Sequence, residues 1–316
     1  MKANLISLLY LQLNFEGINM KKQIIILVFF LVNFSIQIYS QDSSIQKQLL
    51  IRCDDIGMSH SVNMAIKEVV DLGIPFSTSV MFSCPWYQEA VNILKNHDHV
   101  SVGIHLTLNA EWQNYRWGPV LGKEAVPSLV DSNGYFFPSR KTFHDNNPTL
   151  ADVESELRAQ IERALSSGLK IDYMDYHMGT AVDKIEHREI VENLADEYGL
   201  AISRYFGEVD VKNLYSDPVV SKTDSLVSIF NELKDDQISL LVIHVGIDTP
   251  ELRAMIDMNT FGMKEMSKHR NAELNALCSP LFKYLVKTNN VQLLNYKDLI
   301  NSFTFKKMKR PKLSGY

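Results

Sequence analysis

Four short apolar runs in this 316-residue chain each carry an acid or a histidine toward the carboxyl end: QLLIRCDD at 48–55, HVSVGIHLTLN at 99–109, KIDYMDYH at 170–177 and ISLLVIHVG at 238–246. Runs of this kind, alternating with helix-like segments, read as the strands of a parallel β/α protein. In such a fold the residues at the carboxyl ends of the strands share one face, and active sites form there. Asp54, Asp55, His105, His177 and His244 are therefore expected to converge. Acids and imidazoles gathered in that way suit a metal-dependent hydrolase.

Between the runs the periodicity is helical. Ser59 is a candidate N-cap for a helix to Leu72, with Val62, Ala65, Ile66, Val69 and Val70 at helical spacing and Gly73 as its stop. A strand at 75–83, a helix from Pro85 to about Lys95 and a strand at 99–108 complete a βαβαβ opening. From Thr149 the pattern resumes with a helix to about Ser167, a strand at 170–177, a helix from Glu186 to Tyr198 and a strand at 200–206. A helix from Asp224 to Leu233, the 238–246 strand, a helical segment from Lys268 to Lys287 and a last strand at 291–296 follow. Seven parallel strands in this order predict an α/β fold, an irregular (β/α) TIM-like barrel in a single domain. Between Asn109 and Pro148 the periodicity fails, and Trp112, Tyr115 and Trp117 stand among glycines and prolines. Long irregular segments inside a domain are usually functional, so 109–148 is expected to be an active-site loop. Its aromatics either stack on sugar rings or pack the loop against the barrel rim.

Residues 1–40 are expected to stand outside the barrel, which occupies 41–316. Lys21 and Lys22 after Met20, the apolar stretch Ile24 to Val32 and the polar residues up to Asp42 have the order of a secretory signal peptide. We assign the signal to residues 20–40, preceded by an upstream extension. Its uncharged run is shorter than the ~20 residues of a comfortable membrane span. The mature chain is expected to be exported, periplasmic or secreted, with no stable membrane insertion after cleavage. Removing Lys2, Lys21, Lys22 and Glu16 from the 32 basic and 37 acidic residues leaves a formal charge of −7. With no basic cluster interleaved with aromatics, nucleic acid is not an expected partner. KKMKRPK at 306–312 reads as a solvated tail. Cys53, Cys84 and Cys278 lack paired spacing, and the first two read as small core residues.

Asp54 and Asp55 leave the first strand together, where the backbone is expected to turn at Gly57. Adjacent carboxylates there can address different places, one a metal ion and the other its water. Carboxylate with imidazole is a usual donor mix for a catalytic divalent ion, and Asp55, His105 and His177 can supply three donors. Each has a plainer reading as well. An Asp pair can cap a helix, His105 can be a hydrogen-bonded core residue, and Asp175 is either the partner of His177 or a surface acid. His244 is the candidate general acid, with Asp248 as the candidate to orient it. The remaining histidines, His144 and His187 among them, fall in helix or loop segments and carry no role in this reading. H-E-x-x-H, G-x-S-x-G and a strand-following G-x-G-x-x-G are absent, which argues against zincin, serine-hydrolase and dinucleotide chemistry.

The chain resembles the YdjC-like carbohydrate deacetylases, a family that includes chitooligosaccharide deacetylases. The resemblance rests on LLIRCDDIGMSHSVNMAI at 49–66, GIHLTLN at 103–109, YMDYH at 173–177 and IHVGID at 243–248. It implies an irregular TIM-type barrel that hydrolyses the linear amide bond of N-acetyl amino sugars in oligo- or polysaccharides and releases acetate. Carried over position by position, it implies Asp55, His105 and His177 as ligands of one divalent ion, Mg²⁺ or Zn²⁺. It likewise implies Asp54 as the base that activates water and His244 as the acid. The chain departs from the family at Tyr173, where a histidine is frequent, at Met178-Gly179, which replace a further histidine, and at Val245, where proline is usual. These changes leave the three-ligand set intact and alter positions on the substrate side.

Two other readings compete with this one. A phosphoesterase-like barrel hydrolase would carry more cations at strand ends than Arg52 and Arg204. A non-catalytic glycan-binding protein would tolerate loss of the acids and histidines, all of which are present. The expected partner is an acetylated oligo- or polysaccharide; the oligomeric state, a homodimer included, is not written in the sequence.

Overall fold

In the computed structural model, which describes residues 46–212, 214–303 and 308–311, the first apolar run forms β1 (Lys47–Ile56). It is followed by α1 (His60–Asp71), β2 (Phe76–Val80), α2 (Tyr87–Leu94) and β3 (Val100–Leu106). Next come α3 (Arg140–Asp145), α4 (Leu150–Ser166), β4 (Tyr173–Tyr176), α5 (Ile185–Tyr198), β5 (Ala201–Ile202) and β6 (Val209–Asp210). The series ends with α6 (Lys222–Glu232), β7 (Ile238–Ile243), α7 (Pro250–Arg253), α8 (Met266–Leu277), α9 (Pro280–Thr288), β8 (Val291–Leu294) and α10 (Tyr296–Phe303). The expected signal peptide at 20–40 and the extension before it lie outside the described residues.

Every strand pairing is parallel, in the order β5-β4-β3-β2-β1-β7-β6, and β8 pairs with the first half of β1. The seven expected strands are joined by the two-residue β6. Tyr173 of β4 and its register partner Ala201 of β5 lie far along the sheet from Leu240 of β7, yet pack together with it and with Leu50, Leu294 and Tyr296. Only a sheet curled toward that face brings them into contact, so the strands form a half-barrel of one α/β domain. Strand alternation sorts β1 accordingly: Leu50 points to this inner cluster, while Leu49, Ile51 and Cys53 join the larger core beneath the helices. α1 buries the predicted stripe Val62, Ala65, Ile66, Val69 and Val70, and the Ser59 hydroxyl accepts from the Val62 N–H as its N-cap.

Three expectations are corrected. The helical segment near 268–287 is two helices, because Pro280 cannot continue one and instead starts α9 behind the Ser279 cap. The strand expected at 200–206 stops at Ile202, ahead of Arg204 in the left-handed region at φ 71°. The basic tail is anchored where it is described: the Lys309 N–H donates to Tyr205 O, and Arg310 pairs with Glu192. Met308 Sδ accepts from the Ile202 N–H at the open edge of β5, satisfying a donor that no strand covers.

The 109–148 segment is folded rather than extended. It contains α3 and a 3₁₀ turn at Pro127–Leu129, and it buries Trp112, Trp117, Phe136 and Phe143. Its two tryptophans therefore pack the segment. Cys53, Cys84 and Cys278 are free thiols, and the first two are buried. Among the described residues no helix is long and apolar enough to cross a membrane.

The register of β3 against β4 sets Gly103 opposite Tyr173 and His105 opposite Asp175. A Cβ at 103 would meet three Tyr173 ring atoms at 2.4–2.7 Å. That ring cannot step aside, because its hydroxyl bonds Ser79 Oγ at 2.7 Å and its face lies 4.1 Å from the Tyr296 ring. Gly103→Ala is expected to cost about 1–3 kcal/mol through overpacking, read from the urea midpoint.

Candidate active site

A local irregularity at the end of β1 sends two consecutive carboxylates into the barrel mouth. Neighbours on a strand normally face opposite ways, but β1 shifts register against β2 between Cys53 and Ile56. Asp55 takes φ 71°, a conformation that Asp tolerates better than most residues. The turn expected at Gly57 thus begins at Asp55 itself. Both carboxylates line one cleft of about 280 Å³, with His105, Glu111, His177, His244 and Arg270.

Asp55, His105 and His177 meet at its floor. His105 Nε2 lies 3.3 Å from Asp55 Oδ1, His177 Nδ1 lies 3.5 Å from the same oxygen, and the two nitrogens are 3.3 Å apart. Donor atoms around one tetrahedral ion at about 2.1 Å stand about 3.4 Å from each other. Asp55 Oδ1 is buried and accepts no hydrogen bond, an arrangement that an ion would explain. This trio fits a divalent cation.

The surrounding groups aim the donors. His105 Nδ1 bonds Asp175 Oδ1 at 2.8 Å, and His177 Nε2 bonds Glu111 Oε2 at 2.9 Å. With those nitrogens donating, the facing nitrogens carry lone pairs once the rings are neutral. Asp175 thus serves His105, not His177. Asp55 Oδ2 accepts from Arg270 Nη2 at 2.6 Å. Arg52 donates from Nε and Nη2 to Asp54, both at 2.7 Å, and its Nε is 2.8 Å from Asp175. Asp54, His105 and Asp175 also have ligand-like spacing, but a guanidinium already fills the place of a cation there.

Burial opposes charge on His105, yet Asp175 outweighs it and lifts the imidazole to about 10. Burial likewise opposes charge on His177, and Glu111 with Asp55 raises it to about 9. Asp55 is held well below the carboxylate range because Arg270, with the two histidines, overcomes its desolvation. His244 moves the other way, lowered by burial with Arg270 adding to the effect. Its Nδ1 has no partner, its ring lies 5.5 Å from the Tyr215 ring, and its backbone N–H donates to Glu273. Asp248 does not orient it, being held by Arg253 and Ser267 instead.

The structure gathers all five sequence-predicted residues into one cleft and adds Glu111 and Arg270. Glu111 carried a weak signal as an acid six residues beyond His105 in the irregular segment. Arg270 carried none, since α8 reads as a polar surface helix.

A parallel β/α half-barrel with acids and imidazoles at its strand ends is the framework of a hydrolase centre. More narrowly, residues 48–288 match the YdjC-like protein family, and the chain belongs to it. It is similar to a carbohydrate deacetylase of Clostridium beijerinckii, at 29 % identity over 80 % of this chain and 100 % of that one. It is also similar to a carbohydrate deacetylase of Geobacillus stearothermophilus, at 29 % identity over 79 % and 96 % of the two chains. A crystal structure from Enterococcus faecalis, of a protein named for cellobiose-phosphate cleavage, shares the fold with a TM-score of 0.66. That match is at 22 % identity over 80 % of this chain and 99 % of that one.

Arg270→Leu leaves Asp55 buried without its cation, so the metal-free protein is expected to lose about 3–5 kcal/mol in urea at neutral pH. The folded-state pKa of Asp55 is depressed, so its stabilisation is present above the unfolded carboxyl value and fades as pH falls through the folded one. The gap between variant and parent should narrow in acid.

Proposed function

We propose that the protein is a metal-dependent carbohydrate deacetylase that removes N-acetyl groups from the amino sugars of oligo- or polysaccharides. Asp55, His105 and His177 would hold one divalent ion. The observation that carries this reading is the buried, unbonded Asp55 Oδ1 facing two imidazole nitrogens at 3.3 and 3.5 Å. Two nitrogen donors and near-tetrahedral spacing favour Zn²⁺ over Mg²⁺, which prefers oxygen donors in octahedral array. When bound, such an ion polarises the acetyl carbonyl and acidifies water.

The chain's own residues then divide the proton work. Asp54 accepts the water proton; Arg52 fixes it by one hydrogen bond to each oxygen, and each oxygen keeps a further lone pair. His244, whose lowered pKa makes its protonated ring a stronger acid, hands a proton to the departing amine. Arg270 keeps Nε and Nη1 without partners at the cleft, donors suited to the charge that develops on the acetyl oxygen. Glu111 and Trp112 enter the cleft from the 109–148 segment, which supports that segment as the active-site loop. A signal peptide at 20–40 extends the reading to an exported enzyme acting on glycans in the periplasm or outside the cell.

A phosphoesterase would need several cations at the strand ends, and among the described residues lining the cleft Arg270, itself paired with Asp55, is the only arginine or lysine with donors without partners. Arg52 is committed to Asp54 and Asp175, and Arg204 pairs with Asp210.

Acetate release from a panel of N-acetylated oligosaccharides tests the assignment. Chelation should abolish release and Zn²⁺ should restore it. Asp54→Asn should lower it about 10²–10⁴-fold with metal content unchanged. Release that survives both treatments would sink the mechanism. Metal binding has its own signature. With His105 near 10 and His177 near 9 in the metal-free protein, both rings are protonated at neutral pH and must lose those protons to ligate. Calorimetry in buffers of different ionisation enthalpy is expected to show about two protons released per ion near pH 7, with affinity weakening as pH falls.

A further inference from the structure

Away from the cleft, His144 in the last turn of α3, Asp183 just ahead of α5 and His187 in its first turn bring together a second set of nitrogen and oxygen donors. One ligand atom from each lies within 4.8 Å of the other two. His144 Nε2 bonds Asp183 Oδ2 at 2.8 Å, and His187 Nδ1 lies 4.0 Å from Asp183 Oδ1. The imidazoles stack with centroids 5.4 Å apart and planes at 15°, and the buried Phe143 ring meets both edge-on.

A hydrogen-bonded His–Asp pair accounts for only part of this. His187 is 4 % exposed, yet its Nδ1 has no partner, and neither has the buried Asp183 Oδ1. Two buried polar atoms 4.0 Å apart, neither with a hydrogen-bond partner, are costly unless something satisfies them. Two neutral imidazoles and one carboxylate offer a divalent cation three ligands and a net charge of −1. His144 and Asp183 are partly exposed, which leaves an entry path and room for a water as fourth ligand.

We propose that His144, Asp183 and His187 form a second metal site, for a divalent cation of the Zn²⁺ class, that clamps α3 onto the start of α5. Two imidazoles with one carboxylate suit Zn²⁺ better than Mg²⁺ or Ca²⁺. The clamp joins the 109–148 segment to the chain just beyond β4, where the Thr180 hydroxyl also donates to Asn109 at the head of that segment. It shares no residue with the cleft, so its occupancy is independent of the catalytic assignment.

Zn²⁺ content and affinity are measured on the full chain by mass spectrometry and calorimetry. The parent is expected to hold roughly two ions per chain and His144→Ala roughly one. In a His105→Ala, His177→Ala background, which removes the cleft donors, one ion should remain. There His144→Ala or His187→Gln should weaken its binding at least tenfold and abolish any Zn²⁺-dependent rise in thermal midpoint. A parent that holds a single ion, with a content unmoved by His144→Ala, overturns the proposal. So does a cleft-disabled variant, folded by circular dichroism, that binds no Zn²⁺.

Discussion

One buried guanidinium ties the catalytic face together. Arg52, 3 % exposed on the inner face of β1, reaches Asp54 on its own strand, Asp175 on β4 and Ser203 beyond β5. These strands are far apart along the sheet and close only because it curls. Two of these contacts have partners further out: Asp175 accepts from Ser79 and bonds His105, and Ser203 bonds Tyr296. A buried charge costs several kcal/mol unless it is paired and hydrogen-bonded. The inner face can therefore carry Arg52 only with its acids in place, and those acids set the positions of the residues that face the cleft.

Register does the rest of the positioning. Parallel strands in register present paired residues on the same side, so His105 opposite Asp175 places an imidazole beside the carboxylate that orients it. Gly103 opposite Tyr173 follows from the same pairing, since the tyrosine ring fills the space a side chain at 103 would need. The tyrosine that departs from the family pattern at 173 is thus accommodated by the glycine next to it and by Ser79. At β1 the register has to break. Without the shift at Asp55, one carboxylate of the pair would face the helices.

The fold was legible because its signal is periodic. Apolar runs broken by turns predicted the strands, and the stripe in α1 predicted its buried face residue by residue. Site residues were legible where they sit on those runs: Asp54, Asp55, His105, His177 and His244 are all at strand ends. Arg270 was not. Its helix, MSKHRNAELNAL, buries Arg270 and Glu273 alongside Leu274 and Leu277, and a buried face made of charges has no hydrophobic period to detect. Glu111 was hidden for a related reason, because it lies where periodicity fails and only the folded 109–148 segment brings it to His177. The pairing of Asp248 with Arg253 was missed because adjacency in sequence to His244 suggested a partnership that the turn into α7 does not permit.

Charge balance explains why these late additions belong to the site. Asp54, Asp55, Glu111 and Asp175 bring negative charge into a space where, among the described residues, Arg52 and Arg270 supply the guanidiniums bound to these acids. Two positive charges are still needed. With both imidazoles protonated, as their raised pKa values imply for the metal-free protein, His105 and His177 supply them. A divalent ion supplies the same two charges with both imidazoles neutral. The surrounding acids and arginines therefore see one net charge in either state, and the ion can exchange for two protons without the network having to rearrange. Removing Glu111 or Arg270 would upset that equality in opposite directions, which gives two residues outside the donor trio a direct hold on how tightly the trio binds metal.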